Sequence, residues 1–249
     1  MADVSLPLIA TIVATFFLAG IVKGVTGMGL PTVAMGVMGA VLSPVTAAGL
    51  LLVPSFVTNI WQLFGGARTG ALLRRLWAMM LGIVVGTVAG SAMLARVDGD
   101  RTVGALGAAL ALYAAYTLFA PARAVPERRE PWLSPAVGLA TGLVTGATGV
   151  FVIPAVPYIQ SLRLERDDMV QALGLSFTIS TVALAIGLYW HGAAAFGNLL
   201  ASTLAVVPAL LGMAAGQRLR KRIRPPLFRR IFLAFLLLLG AEMMGRAWF

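Results

Sequence analysis

The sequence predicts an all-α, polytopic integral membrane protein of two inverted repeats, each a broken or re-entrant helical hairpin followed by three transmembrane helices. Three observations carry this expectation. Of 249 residues, 59% are hydrophobic and 11% charged, too little polarity to clothe a water-soluble domain. Apolar stretches near the ~20 residues needed to cross ~30 Å of hydrocarbon recur along the whole chain. A glycine-rich motif also occurs twice, once near the start of each half.

Taken in order, residues 6–23 are apolar, 24–30 glycine-rich and 31–42 a shorter apolar piece. Three fuller segments follow at 45–64, 76–95 and 103–119, and then a polar linker at 121–131. The same order returns as 132–145, a break at 146–151, 152–162, and then 169–190, 196–216 and 231–249. The expected organisation is a first repeat over residues 1–120, a cytoplasmic linker at 121–131 and a second repeat over 132–249. The start, Met1 to Ser5, lacks the basic residues of a signal peptide, so the first apolar segment is expected to stay in the fold. The pieces 31–42 and 152–162 are too short at ~1.5 Å per residue to cross ~30 Å unaided. Whether the hairpins span or re-enter stays open, and the two breaks are expected to meet near the membrane middle.

The distribution of charge sets the topology, because short cytoplasmic loops hold most Lys and Arg. If each broken segment begins and ends on one face, fifteen basic residues fall on one side. Only Arg96, Arg101 and Arg246 fall on the other, with Lys23 at a hairpin tip uncounted. If the broken segment were a single crossing, the division would be seven against eleven. The hairpin arrangement therefore puts both termini outside and inverts the second repeat relative to the first, as in many secondary transporters. The formal charge of +10 thus reads as topology, and no nucleic-acid partner is expected.

The breaks offer chemistry. Gly24, Gly27, Gly29, Gly146 and Gly149 permit positive φ and close approach to the backbone, and Pro31 and Pro154 can open a helix without losing a needed N–H. Free N–H groups at those helix starts carry partial positive charge, which suits an anion; glycines also serve close helix packing. Lys23 is the one basic residue inside an apolar region, and its repeat counterpart is Thr145. It is either a functional cation or a side chain that snorkels to the cytoplasmic interface. Thr26, Thr148, Asn59, Ser180 and Thr181 are neutral hydrogen-bonding groups in the breaks or the following helices, as are Ser55, Thr58, Gln62, Gln171, Ser176 and Thr178. They read as a shared polar cavity or as helix-packing glue, with Asn59 and Thr181 at matching repeat positions.

Other functions are poorly supported. Cysteine is absent, and of nine acidic residues all but Glu242 lie in expected loops or tails. No carboxylate pair, metal cluster or nucleophile set can be assembled inside the membrane, so no enzyme, metal site or cofactor is expected. His191, at a helix end, reads as interfacial or as a group that titrates during transport. The expected partners are a small anionic substrate and membrane lipids, with a homo-oligomer open.

The pattern Gly20-x-x-x-Gly24-x-Thr26-Gly27-x-Gly29-x-Pro31, its second copy beginning at Gly142, and the two-repeat layout resemble the sulfite exporter TauE/SafE family, also called toluene sulfonate uptake permeases. The resemblance runs from Leu6 to about Met244. It implies a permease of the bacterial inner membrane whose substrate is sulfite, a sulfonate or a related organosulfur anion; the residues by themselves reach only a small anion. One departure is Gly149-Val150-Phe151, where the family pattern favours another glycine, so the halves are expected to contribute unequally. The rival readings are a permease for a non-sulfur organic acid, a channel-like pathway and a membrane-embedded scaffold without transport.

Overall fold

The computed structural model describes residues 6–96, 99–119, 124–193, 199–220, 222 and 225–248. Among them all regular structure is helical. In chain order the helices are α1 (Leu6–Thr26), α2 (Leu30–Val41), α3 (Pro44–Leu63), α4 (Thr69–Arg96), α5 (Gly99–Phe119), α6 (Glu130–Thr148), α7 (Ala155–Ser161), α8 (Arg166–Trp190), α9 (Leu199–Leu204), α10 (Val206–Leu219) and α11 (Pro225–Trp248), with a 3-10 turn Glu127–Arg129 before α6. Six stretches are long and apolar enough to cross a membrane: α1, α3, α4, α5, α8 and the run Leu199–Leu219 through α9 and α10. Apolar side chains such as Trp77, Leu112, Val207 and Leu238 are exposed on the outside of the bundle, as a lipid-facing surface requires. The expected segment order is recovered. Helices α4 and α8 start earlier than their apolar cores because a polar first turn protrudes beyond the hydrocarbon. The expected start Met1 to Ser5, the linker residues 121–123, Phe196 and Phe249 lie outside the described residues.

The breaks are narrower and placed later than the sequence predicts. Helix α1 continues through Lys23 and Gly24 to Thr26, and α6 through Gly146 to Thr148. The reason is helix contact. A Cβ on Gly24 would sit 2.3 Å from the Met213 carbonyl oxygen of α10, and one on Gly146 would sit 2.4 Å from that of Thr87 on α4. Gly20 and Gly24 meet Gly212 and Gly216 across the α1–α10 seam, while Gly138, Gly142 and Gly146 face Gly82, Gly86 and Gly90 across α6–α4. Spacing of four keeps each glycine row on one helix face, so the backbones touch without intervening side chains. Helix α5 packs on α11 and α3 on α8.

Both long hairpin arms end in the same device. Gly27 (φ 80°) and Gly149 (φ 71°) are left-handed, and their N–H groups donate to the carbonyls of Lys23 and Thr145, each at 2.7 Å. The preceding hydroxyls, Thr26 and Thr148, donate to Val22 and Val144 and accept the N–H groups of Met28 and Val150. An L side chain at either glycine would be strained. The return arms then differ. Helix α2 has 12 residues and α7 has 7, about 18 and 10 Å at 1.5 Å per residue.

Helices α1 and α6 have 21 and 19 residues, lengths of about 28–32 Å, and the two breaks that end them are closed by different groups. Gln62 closes the first break, its Nε2 donating to the carbonyls of Gly27 and Val170, both at 2.9 Å. The second is filled by Met35 against Gly149 and by Phe151 on Phe177, ring centroids 6.5 Å apart. Phe177 lies seven residues along α8 from Val170, about 10 Å by helical rise.

The proline inside α3 is compensated. Pro54 has no N–H to give the Leu50 carbonyl, and the Ser202 hydroxyl of α9 donates to that oxygen instead, at 2.9 Å; Ser202 also accepts the Val53 N–H at 3.2 Å. Pro208 separates α9 from α10 by the same loss of a donor.

Gly142→Val is expected to lower stability by about 1–3 kcal/mol through overpacking of the α4–α6 seam. Gly245→Ala, where an added Cβ meets nothing within 4 Å, is expected to leave stability unchanged or raise it. Thermal unfolding of both variants in detergent checks the contrast.

Candidate functional site

Helix α3 places Ser55, Thr58, Asn59 and Gln62 at i, i+3, i+4 and i+7, so their side chains share one face; all four are buried. That face meets the end of α1, where Lys23 is 3% exposed. Its Nζ donates to Thr58 Oγ1 at 3.0 Å and to Asn59 Oδ1 in a short hydrogen bond. Lys23 does not snorkel. The Asn59 amide in turn donates to Thr181 Oγ1 of α8 at 3.3 Å, and Thr181 donates to the Phe177 carbonyl. One chain of hydrogen bonds thus ties α1, α3 and α8 together at the ammonium.

The electrostatics are unusual for a protein interior. Three ion pairs occur among the described residues, Arg68–Asp168, Arg75–Glu130 and Arg246–Glu242, and Lys23 is in none of them. Its described acceptors are neutral, and an ammonium has three protons to donate. Buried hydroxyls without described partners occur on the same helices: Ser55, one turn from Asn59 on α3, and Ser176 and Ser180 on α8, Ser180 next to Thr181. Unbonded buried polar groups cost free energy. A cavity of 210 Å³ lies beside Lys23, lined by Lys23, Gly24, Gly27, Gln62 and Arg220 and by one carboxylate, Asp167. At Gly27 a Cβ would meet nothing within 4 Å, so the backbone there faces open space.

The structure thus brings Lys23, Asn59 and Thr181 into one network, sets Ser180 beside it, and places Gly24 and Gly27 on the adjoining cavity. The other expected site residues lie elsewhere. Thr26 and Thr148 cap their helices, Gly29 faces Val22 and Phe232, and Gly149 faces Met35. Pro31 is buried in the first turn of α2 and Pro154 precedes α7. Thr145 donates to the Val150 carbonyl at 3.3 Å, inside its own hairpin, and Gly146 is a packing residue of the α4–α6 seam. The second half reaches the cluster through α8 and not through its break. Thr32 was missed by sequence reasoning: it is fully buried in the first turn of α2 and its hydroxyl has no described partner. Its signal was a hydroxyl directly after Pro31. Among the described residues no group of three or more His, Cys, Asp or Glu could hold a metal.

Apolar spans enclosing a hydrogen-bonded cation and a cavity define a polytopic, multi-pass α-helical membrane protein. The family model of the sulfite exporter TauE/SafE family matches residues 12–243, and the chain belongs to that family of membrane transporters. No curated protein and no solved structure matches the chain.

If Lys23 and Asn59 act as a pair, a double-mutant cycle with Lys23→Met and Asn59→Leu is expected to give a coupling of about 0.5–3 kcal/mol in unfolding free energy. Additive effects within about 0.3–0.5 kcal/mol would separate the two residues.

Proposed function

We propose that this chain is a secondary transporter that carries a small anion, sulfite or an organosulfonate-type compound, across the bacterial inner membrane, with Lys23 as the anion's main electrostatic contact. The observation that carries this reading is a buried ammonium with neutral described partners that lines a cavity. An anion there gains a charge-assisted hydrogen bond to Nζ, and Arg220 on the same lining adds a second positive charge against the one carboxylate there, Asp167. Family membership supplies the sulfur-compound class. Exchange of neutral for anionic partners at Lys23 would also loosen the α1–α3–α8 network and so couple binding to movement of these helices.

The proposed architecture is two inverted repeats, residues 1–120 and 132–249, joined by the linker 121–131. It is supported by the paired seams and by the matching helix ends at Gly27 and Gly149. Both termini are proposed to face outward. Arg68 and Asp168 join the start of α4 to that of α8, and Arg75 and Glu130 join α4 to the start of α6, which gathers the basic loops at one end. Close approach of Gly104 to Ala247 sets Arg101 and Arg246 at the other. The basic end is assigned to the cytoplasm by the positive-inside rule.

Purified protein in liposomes is expected to give saturable flux of at least one of sulfite, sulfoacetate, taurine and thiosulfate. Lys23→Met should weaken affinity on the order of 10- to 100-fold, the loss of one charge-assisted contact, and Lys23→Arg should retain part of it. No saturable flux of any of the four would favour a scaffold, and unchanged affinity in Lys23→Met would remove Lys23 from the site.

A further inference from the structure

The end of α1 has cavities on two sides. The larger, 470 Å³, lies beyond Thr26, where Arg220, Arg229 and Arg230 converge and where Leu118, Met169 and Leu233 supply apolar wall. The three cations come from two stretches, Arg220 following α10 and the neighbours Arg229 and Arg230 in the second turn of α11. No acidic residue among those described lines this cavity, and none of the three arginines is in an ion pair among the described residues. Three like charges around one hollow repel one another, and the repulsion is relieved by an anion. Guanidinium forks match the paired oxygens of a tetrahedral oxyanion.

The apolar wall decides what kind of oxyanion. Small-molecule sites typically measure about 300–1,000 Å³ and are mostly apolar with a few placed polar groups. A bare inorganic ion would leave most of this hollow unfilled and would gain nothing from Leu118, Met169 and Leu233. We propose that this cavity is a second anion site, distinct from the Lys23 cluster, that takes a phosphoryl-type oxyanion borne on an apolar body. Two sources share that chemistry, an anionic phospholipid of the surrounding bilayer and a soluble amphiphilic phosphate ester. The site stands whichever anion crosses the membrane. Arg220 also lines the Lys23 cavity, so an occupant sits at its mouth and is positioned to modulate access.

Calorimetry on the full-length protein in a non-ionic detergent tests this with three probes: dihexanoyl phosphatidylglycerol, hexyl phosphate and, as the neutral control, dihexanoyl phosphatidylcholine. The expected result is saturable binding of at least one anionic probe, weakened on the order of 10-fold or more in Arg229→Gln/Arg230→Gln and unchanged in Lys23→Met. Tighter binding of phosphatidylglycerol assigns the site to lipid, and equal or tighter binding of hexyl phosphate assigns it to a soluble ester. Should the double variant not elute as a monodisperse species, Arg230→Gln, which touches only this cavity, gives the same readout with a single substitution. The proposal is overturned by no binding of either anionic probe, by equal binding of phosphatidylcholine, by affinity that survives the arginine substitutions, or by affinity lost in Lys23→Met.

Discussion

Inside a bilayer no water is present to bond a backbone group that a turn or a proline leaves bare, and each such group costs several kcal/mol if unpaired. The irregular features of this chain follow from that constraint. Where α1 and α6 stop, a threonine hydroxyl and a left-handed glycine satisfy the local backbone. Where α3 contains Pro54, the Ser202 hydroxyl from α9 takes over the Leu50 carbonyl. Where the first break exposes the Gly27 carbonyl, Gln62 reaches it and Val170 with one amide nitrogen. These polar side chains seal the scaffold.

Lys23 sits where α1, α3 and α8 are joined by hydrogen bonds. The glycine seams bring helix backbones into direct contact on two flanks of the bundle and fix α1 against α10 and α6 against α4. The α3–α8 pair in the centre is different: its facing surfaces carry serine, threonine, asparagine and glutamine. A cation there is held by neutral groups whose hydrogen bonds can be exchanged for those of an anion, whereas a carboxylate partner would hold the ammonium in a tighter pair and compete with any anionic ligand. The arrangement suits reversible binding.

Much of the fold was legible because span length and apolar periodicity are properties of the chain itself. The order of the helices followed from these; matching repeat positions pointed Asn59 and Thr181 to a shared polar cavity, and their direct hydrogen bond became visible only in the fold. Glycine was less legible. The residue that permits a left-handed turn at Gly27 and the residue that permits backbone contact at Gly24 are the same letter three positions apart, so Gly24 and Gly146 were read into breaks that begin later. The fate of Lys23 was open because its partners, Thr58 and Asn59, lie about ten helical turns further along the chain, and snorkelling or burial depends on what packs beside it. The arginine-lined cavity was invisible for a related reason: Arg220, Arg229 and Arg230 read as loop charge until the fold brings α10 and α11 to the end of α1.

The central claim is that the substrate anion binds at the Lys23 ammonium. Crystals grown with selenite, the heavier analogue of sulfite, would locate it by anomalous scattering. The account predicts an anomalous peak between α1, α3 and α8, with an anion oxygen within hydrogen-bonding distance of Lys23 Nζ, about 2.7–2.9 Å. An anomalous peak confined to other parts of the bundle, with the bonds from Lys23 to Thr58 and Asn59 unchanged, would contradict it.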